Sequence, residues 1–148
     1  MTVLYDEGLR FTVKGVPRPQ GSMTAVRSNS TGRTFMKYSD PTRKWRAMVL
    51  EEALAAVRAV GWERTDGPVF LDVVFYFERP KSMPKWRRAH HEKINGPDLD
   101  KLLRAIGDAL TDAGVYDDDR QITAVRASKM YDDSPRAEIL VYTGTFEG

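Results

Sequence analysis

Between Leu9 and Val16 apolar and polar residues alternate, with Phe11 and Val13 on one face and Arg10, Thr12 and Lys14 on the other. A period of two predicts a strand. It runs into Gly15-Val16-Pro17-Arg18-Pro19-Gln20-Gly21, where two prolines and two glycines interrupt any regular element. Met23 to Arg27 and Arg33 to Tyr38 flank the polar run Ser28-Asn29-Ser30-Thr31-Gly32 and predict a loose hairpin. Ser39-Asp40-Pro41 marks a helix start, with a capping acid and a proline at the first helical position. Trp45, Met48, Val49, Leu54 and Val57 form its inward stripe, and Gly61 ends it after Val60. Val69 to Phe77 is almost continuously apolar, which predicts a central strand covered on both faces. Leu99, Leu102, Leu103, Ile106, Leu110 and Ala113 then recur at helical spacing between Pro97 and Gly114. Gln121 to Tyr131 and Ala137 to Phe146 read as two strands, and Asp132-Asp133-Ser134-Pro135 between them predicts a hairpin turn. This order implies an α+β fold, a mixed sheet packed against two main helices, in one domain over residues 1–148.

Composition narrows the chemistry. The 148 residues include no cysteine, which excludes a disulfide framework and thiolate zinc sites. No apolar run approaches the ~20 residues that span a bilayer, and no signal peptide opens the chain, so a cytoplasmic protein is expected. A net charge of +2 singles out no partner, but its distribution does. Arg79, Lys81, Lys85, Arg87, Arg88 and Lys93 face a single acid, Glu92, in a segment that also carries Trp86, His90 and His91. From Asp98 to Asp119 the balance reverses, with seven aspartates against Lys101 and Arg104. Cations to hold a phosphate backbone beside carboxylates to hold a metal are what a metal-dependent nuclease requires.

The acids fall in two groups. Asp98 is placed as N-cap of the second helix, where it can converge with Asp100, and Asp100, Arg104 and Asp108 line one flank beside the apolar stripe. Asp117-Asp118-Asp119 follow Gly114. Either group alone is ordinary, since Asp caps helices and populates turns in proteins of every kind. Together, two like-charged groups joined by an intact amphipathic helix call for a hard divalent cation bound through oxygen.

Asp98-Leu99-Asp100, the helix through Asp108-Ala109-Leu110 to Gly114, and Asp118-Asp119-Arg120-Gln121-Ile122 resemble the RusA family of Holliday junction resolvases. The likeness extends to Phe11-Thr12-Val13-Lys14-Gly15-Val16-Pro17 with Pro19-Gln20-Gly21, and so to most of the chain. The resemblance implies an Mg²⁺-dependent endodeoxyribonuclease, with Mn²⁺ an alternative ion, that acts on four-way and other branched DNA as a homodimer in recombination, repair or phage DNA processing. It places Asp98, Asp100 and Asp119 as the metal-binding catalytic acids and Asp118 as the supporting one. Two positions depart from the family pattern: Lys101 stands where Asn is usual, and Arg104 where a catalytic lysine is usual. Arginine keeps the charge but does not release its proton. Lys101, Lys85, Arg87 and Arg88 are the candidate DNA contacts, and the exposed hairpin residues Phe35 and Met36 are candidates for the dimer contact. The alternatives are a catalytically impaired branched-DNA-binding relative and a small divalent-ion or nucleotide-binding protein.

Overall fold

Ten residues, Val69–Glu78, form the strand (β4) around which the other elements are arranged. The computed structural model describes residues 2–21, 23–84 and 92–147. The other elements are β1 (Thr2–Lys14), β2 (Thr24–Arg27), β3 (Thr34–Lys37), α1 (Asp40–Val60), α2 (Leu99–Asp112), a 3-10 turn (Asp119–Gln121), β5 (Ile122–Asp132) and β6 (Arg136–Glu147). The main sheet has the order β1-β6-β4-β5, and β2 and β3 form a separate two-stranded ribbon. The sheet is mixed: β6 is antiparallel to β1 and β4, whereas β5 runs parallel to β4. The α+β architecture with two helices and a mixed sheet is therefore as the periodicity predicts.

Four local expectations fail for physical reasons. β5 and β6 are not a hairpin; β4 lies between them, so the Asp132–Pro135 connection passes the end of β4. Turn residues allow a reversal but do not select the partner strand. Ala137, Ile139 and Val141 are buried, and this apolar alternation suits β6 to an interior position. β4 is central, but only one face is covered along its length. Leu71, Val73, Phe75 and Phe77 enter the core; on the other face Phe70 is buried beside Tyr142, while Asp72, Val74 and Tyr76 are half-buried. On α1 the buried stripe is Thr42, Trp45, Val49 and Ala53; Met48 and Leu54 are exposed. The residue at the N-cap is Ser39, not Asp40, and its hydroxyl donates to Thr42 Oγ1 at 2.9 Å without capping a backbone N–H.

The core lies between the inner sheet face and the helices, with Trp45, Leu102, Ile106, Leu110, Tyr116 and Phe75 almost fully enclosed. Each such side chain contributes ~1.5–3 kcal/mol of burial. Leu99 and Leu103 are only partly buried against this cluster, which leaves the neighbouring flank of α2 facing outward. α2 closes at Gly114, whose φ of 74° is open to glycine at little cost. The basic segment lies partly outside the described residues, and with it Lys85, Arg87, Arg88, Trp86, His90 and His91.

Candidate active site

α2 is entered through a clamp that sequence periodicity does not reveal. Lys129 on β5 extends its ammonium to the carbonyls of Asn95 and Pro97, at 2.7 and 3.0 Å. Lys93 lies over the rings of Phe77 and Tyr131, 5.4 and 5.3 Å from their centres, and donates to Asn95 Oδ1 at 2.6 Å. Partial burial lowers the Lys93 ammonium below its ordinary value. The chain is thus fastened to the sheet just before Asp98 and Asp100. Asp98 has extended backbone at the N-cap, as expected, but its carboxylate pairs with Lys101 Nζ at 3.6 Å rather than capping an N–H. Asp100, in the first turn, has no hydrogen bond or ion pair among the described residues, and Arg104 one turn on has none either.

The third member of that flank, Asp108, is occupied. Gln20, from the Pro/Gly loop after β1, is 1% exposed and donates its side-chain N–H to the Asp108 carboxylate. Its Nε2 also lies 3.5 Å from the Tyr38 hydroxyl, and its backbone N–H donates to Lys101 O at 3.0 Å. The loop therefore lies along the outer side of α2 from Lys101 to Asp108. A buried amide whose partners are 88 and 18 positions away has no local sequence signature; the proximity arises only in the fold.

The Asp-Asp-x-Gln run has a clear division of labour. Asp118 caps the 3-10 turn by accepting the Arg120 N–H at 2.8 Å, which holds its carboxyl below the ordinary carboxylate value. Gln121 Oε1 accepts the N–H groups of Asp117 and Asp118, at 2.8 and 2.9 Å. Its Nε2 donates to the carbonyls of Thr65 and Gly67, at 2.9 and 3.0 Å. Asp119 is left projecting from a turn held on both sides. Partial desolvation, then the neighbouring Asp118 and the charge of Asp108, raise its carboxyl above the ordinary value. Tyr116 beneath the turn donates to Gly107 O at 2.7 Å, and burial is the main cause that pushes its phenol up to about 12. Asp112 and Asp117 pair instead with Arg46 at 3.5 Å and Arg64 at 3.7 Å, which gives them structural partners.

The model of the endodeoxyribonuclease RusA family matches residues 14–142. The chain belongs to the RusA family. Among its relatives, an uncharacterized protein YqaN of Bacillus subtilis (strain 168) is 29% identical over 146 residues, covering 90% of this chain and 94% of the relative. A crossover junction endodeoxyribonuclease rusA of Lactococcus phage r1t is 33% identical over 72 residues, covering 49% of this chain and 52% of that protein. No described helix is long and apolar enough to cross a membrane.

Against the RusA pattern, Asp119 has Asp118 as its chain neighbour and feels the charge of Asp108. Asp100 lies two helical turns from Asp108, about 12 Å along the axis. No three acidic or histidine side chains among the described residues are grouped so that they could hold a metal ion. The donor chemistry nevertheless fits a hard dication: carboxylate oxygens only, Asp100 without a partner among the described residues, and Asp119 carrying a charge its surroundings disfavour. A cation among them would reverse the sign of that repulsion. A shallow groove on the open sheet face, lined by Arg10, Thr12, Asp72, Val74, Glu138 and Leu140, includes none of these acids.

Proposed function

We propose that this RusA-family protein is a metal-dependent endodeoxyribonuclease that cuts branched DNA, four-way junctions included. The observation that carries the reading is the double anchoring of two acids. Lys129 fixes the helix entrance that bears Asp100, and Gln121 fixes the turn that presents Asp119. Asp98, Asp100 and Asp119 would hold one or two Mg²⁺ ions, with Mn²⁺ an alternative, and Asp118 would support them through the turn it caps. The bound ion would supply Lewis acidity to the phosphate and an acidified water.

The protein's own groups do the rest. The Arg104 guanidinium, unpaired among the described residues, projects from the same flank as Asp100, so it would grip the scissile phosphate and oppose charge developing on its oxygens. It holds its proton at all ordinary pH and would not protonate the leaving 3′ oxygen. Lys101 is held by Asp98 and would contact DNA phosphates at the helix entrance, with Lys85, Arg87 and Arg88 adding contacts from the basic segment. Paired cuts on opposing strands call for two sites, so the active form would be a homodimer. The Asp100→Asn variant should fold and bind a four-way junction but not cleave it; cleavage at the wild-type rate would overturn the assignment. Arg104 in place of lysine favours a second reading, a relative that binds branched DNA without cutting it. Absence of cleavage by wild-type protein in Mg²⁺ or Mn²⁺, with junction binding retained, would select that reading.

A further inference from the structure

The β2–β3 ribbon has no place in the main sheet, and its composition is one-sided. Between Gly15 and Ser39 the chain has no acidic residue but carries Arg18, Arg27, Arg33 and Lys37. Of these, Lys37 lies 3.9 Å from Asp40, while Arg18, Arg27 and Arg33 have no ion pair among the described residues. The register Thr24↔Lys37, Ala25↔Met36, Val26↔Phe35 and Arg27↔Thr34 sorts the side chains. Phe35 shares a face with Val26, Thr24 and Lys37, and Met36 shares the other with Ala25, Arg27 and Thr34. Phe35 is 47% exposed and Met36 57%. A ribbon of four-residue strands with apolar side chains open on both faces is marginal in water by itself.

Its shape is nevertheless fixed at both ends. At the tip, Ser28 N–H donates to Arg33 O at 2.8 Å and Gly32 N–H to Ser28 O at 2.9 Å. At the root, Thr42 Oγ1 donates to Pro19 O at 2.9 Å, and the Arg46 guanidinium lies 5.5 Å from the centre of the Tyr38 ring. Gln20 joins the root to α2 through Lys101 O and the Asp108 carboxylate. The root of the ribbon is therefore held by α1 and, through Gln20, by the flank of α2 that carries Asp108.

We propose that this ribbon is a DNA-contacting arm of the site, in which Arg27 and Arg33 hold phosphates and the Phe35 ring stacks on an unstacked base at the branch. The inference rests on the branched-DNA reading above and adds the group that would recognise the branch. Excess positive charge matches a polyanion, and an exposed planar ring beside a lysine matches a base with its adjoining phosphate. An arm rooted on the catalytic flank would place the branch point next to the strand to be cut.

The test uses the full chain, a synthetic four-way junction and a linear duplex of the same sequence. Binding is measured for wild type, Phe35→Ala, Phe35→Leu, Phe35→Trp and the double variant Arg27→Gln/Arg33→Gln, with sedimentation velocity in parallel. The Ala and Leu variants should lose about tenfold or more in junction affinity, whereas Trp should retain it, because stacking needs a planar ring. Affinity for the linear duplex should be unchanged in all three. The double arginine variant should flatten the salt dependence, with the slope of log affinity against log salt falling by about 0.9 for each phosphate no longer neutralised. Unchanged junction affinity in Phe35→Ala, in a protein whose wild type binds and cuts junctions, would overturn the arm alone. Dissociation of a dimer by Phe35→Ala with full rescue by Leu would also overturn it, assigning the ribbon to contact with a second copy. Failure of wild type to bind junctions at all would remove the branched-DNA reading itself.

Discussion

Gln121 is the residue whose removal should most clearly separate turn geometry from chemistry. One side-chain amide makes four hydrogen bonds that tie Asp117, Asp118, Thr65 and Gly67 together. At ~0.5–1.5 kcal/mol net for each bond, the ceiling for Gln121→Ala is ~2–6 kcal/mol. Gln121 is half-buried, so water replaces part of the loss, and about 2–3 kcal/mol is expected. For a protein of this size that lowers the melting midpoint by about 4–12 °C. Junction cleavage should fall further than stability explains, when assayed well below the new midpoint, because Asp119 leaves its position. Gln121→Glu sharpens the test. Its carboxylate still accepts from Asp117 and Asp118 but cannot donate to the Thr65 and Gly67 carbonyls. At neutral pH it should therefore be destabilised even though half of the hydrogen bonds at this position are kept. Urea and thermal unfolding read the stability, and single-turnover cleavage reads the activity. A midpoint within about 1 °C of wild type together with unchanged cleavage by Gln121→Ala would show that these four bonds do not hold Asp119 in place.

Arg104→Lys should retain cleavage while Arg104→Ala loses it with junction affinity little changed; equal activity in all three would remove Arg104 from the site. Lys129→Met removes two bonds at the helix entrance, so it should lower kcat and raise the Mg²⁺ concentration for half-maximal cleavage. A lower melting midpoint with no shift in the Mg²⁺ requirement would make Lys129 structural only. Hydrogen bonding to Arg136 is the main cause that lowers the Asp132 carboxyl from 3.8. Its contribution is present above that value and lost as pH falls through the folded value, so the stability gap between wild type and Asp132→Asn should close in acid; a gap independent of pH would contradict the pairing.

What the sequence made legible follows from what is local. Apolar patterning and turn residues located both helices and the strands, apart from the Thr2–Gly8 part of β1, and the α2 stripe from Leu99 to Leu110 left the Asp100 flank outward as expected. The Asp-Asp-x-Gln run was visible as chemistry, but its structural half was hidden: Asp118 and Gln121 build the turn and Asp119 is the acid presented. Strand order was not legible, because placing β6 between β1 and β4 depends on pairings between residues far apart in the chain. Gln20 and Lys129 escaped for the same reason. A polar residue in a loop or strand declares no partner until the backbone has brought a carboxylate or an unpaired carbonyl to it.

On the proposed reading, one ion joins the acid at the entrance of α2 to the acid of the 3-10 turn. Mn²⁺ binding followed by electron paramagnetic resonance tests it, on protein bound to a junction with uncleavable linkages, in wild type, Asp100→Asn, Asp119→Asn and the double variant. A shared ion predicts that either single substitution weakens binding sharply and that the double variant loses little more. Additive losses, or Mn²⁺ binding indifferent to Asp119, would contradict it.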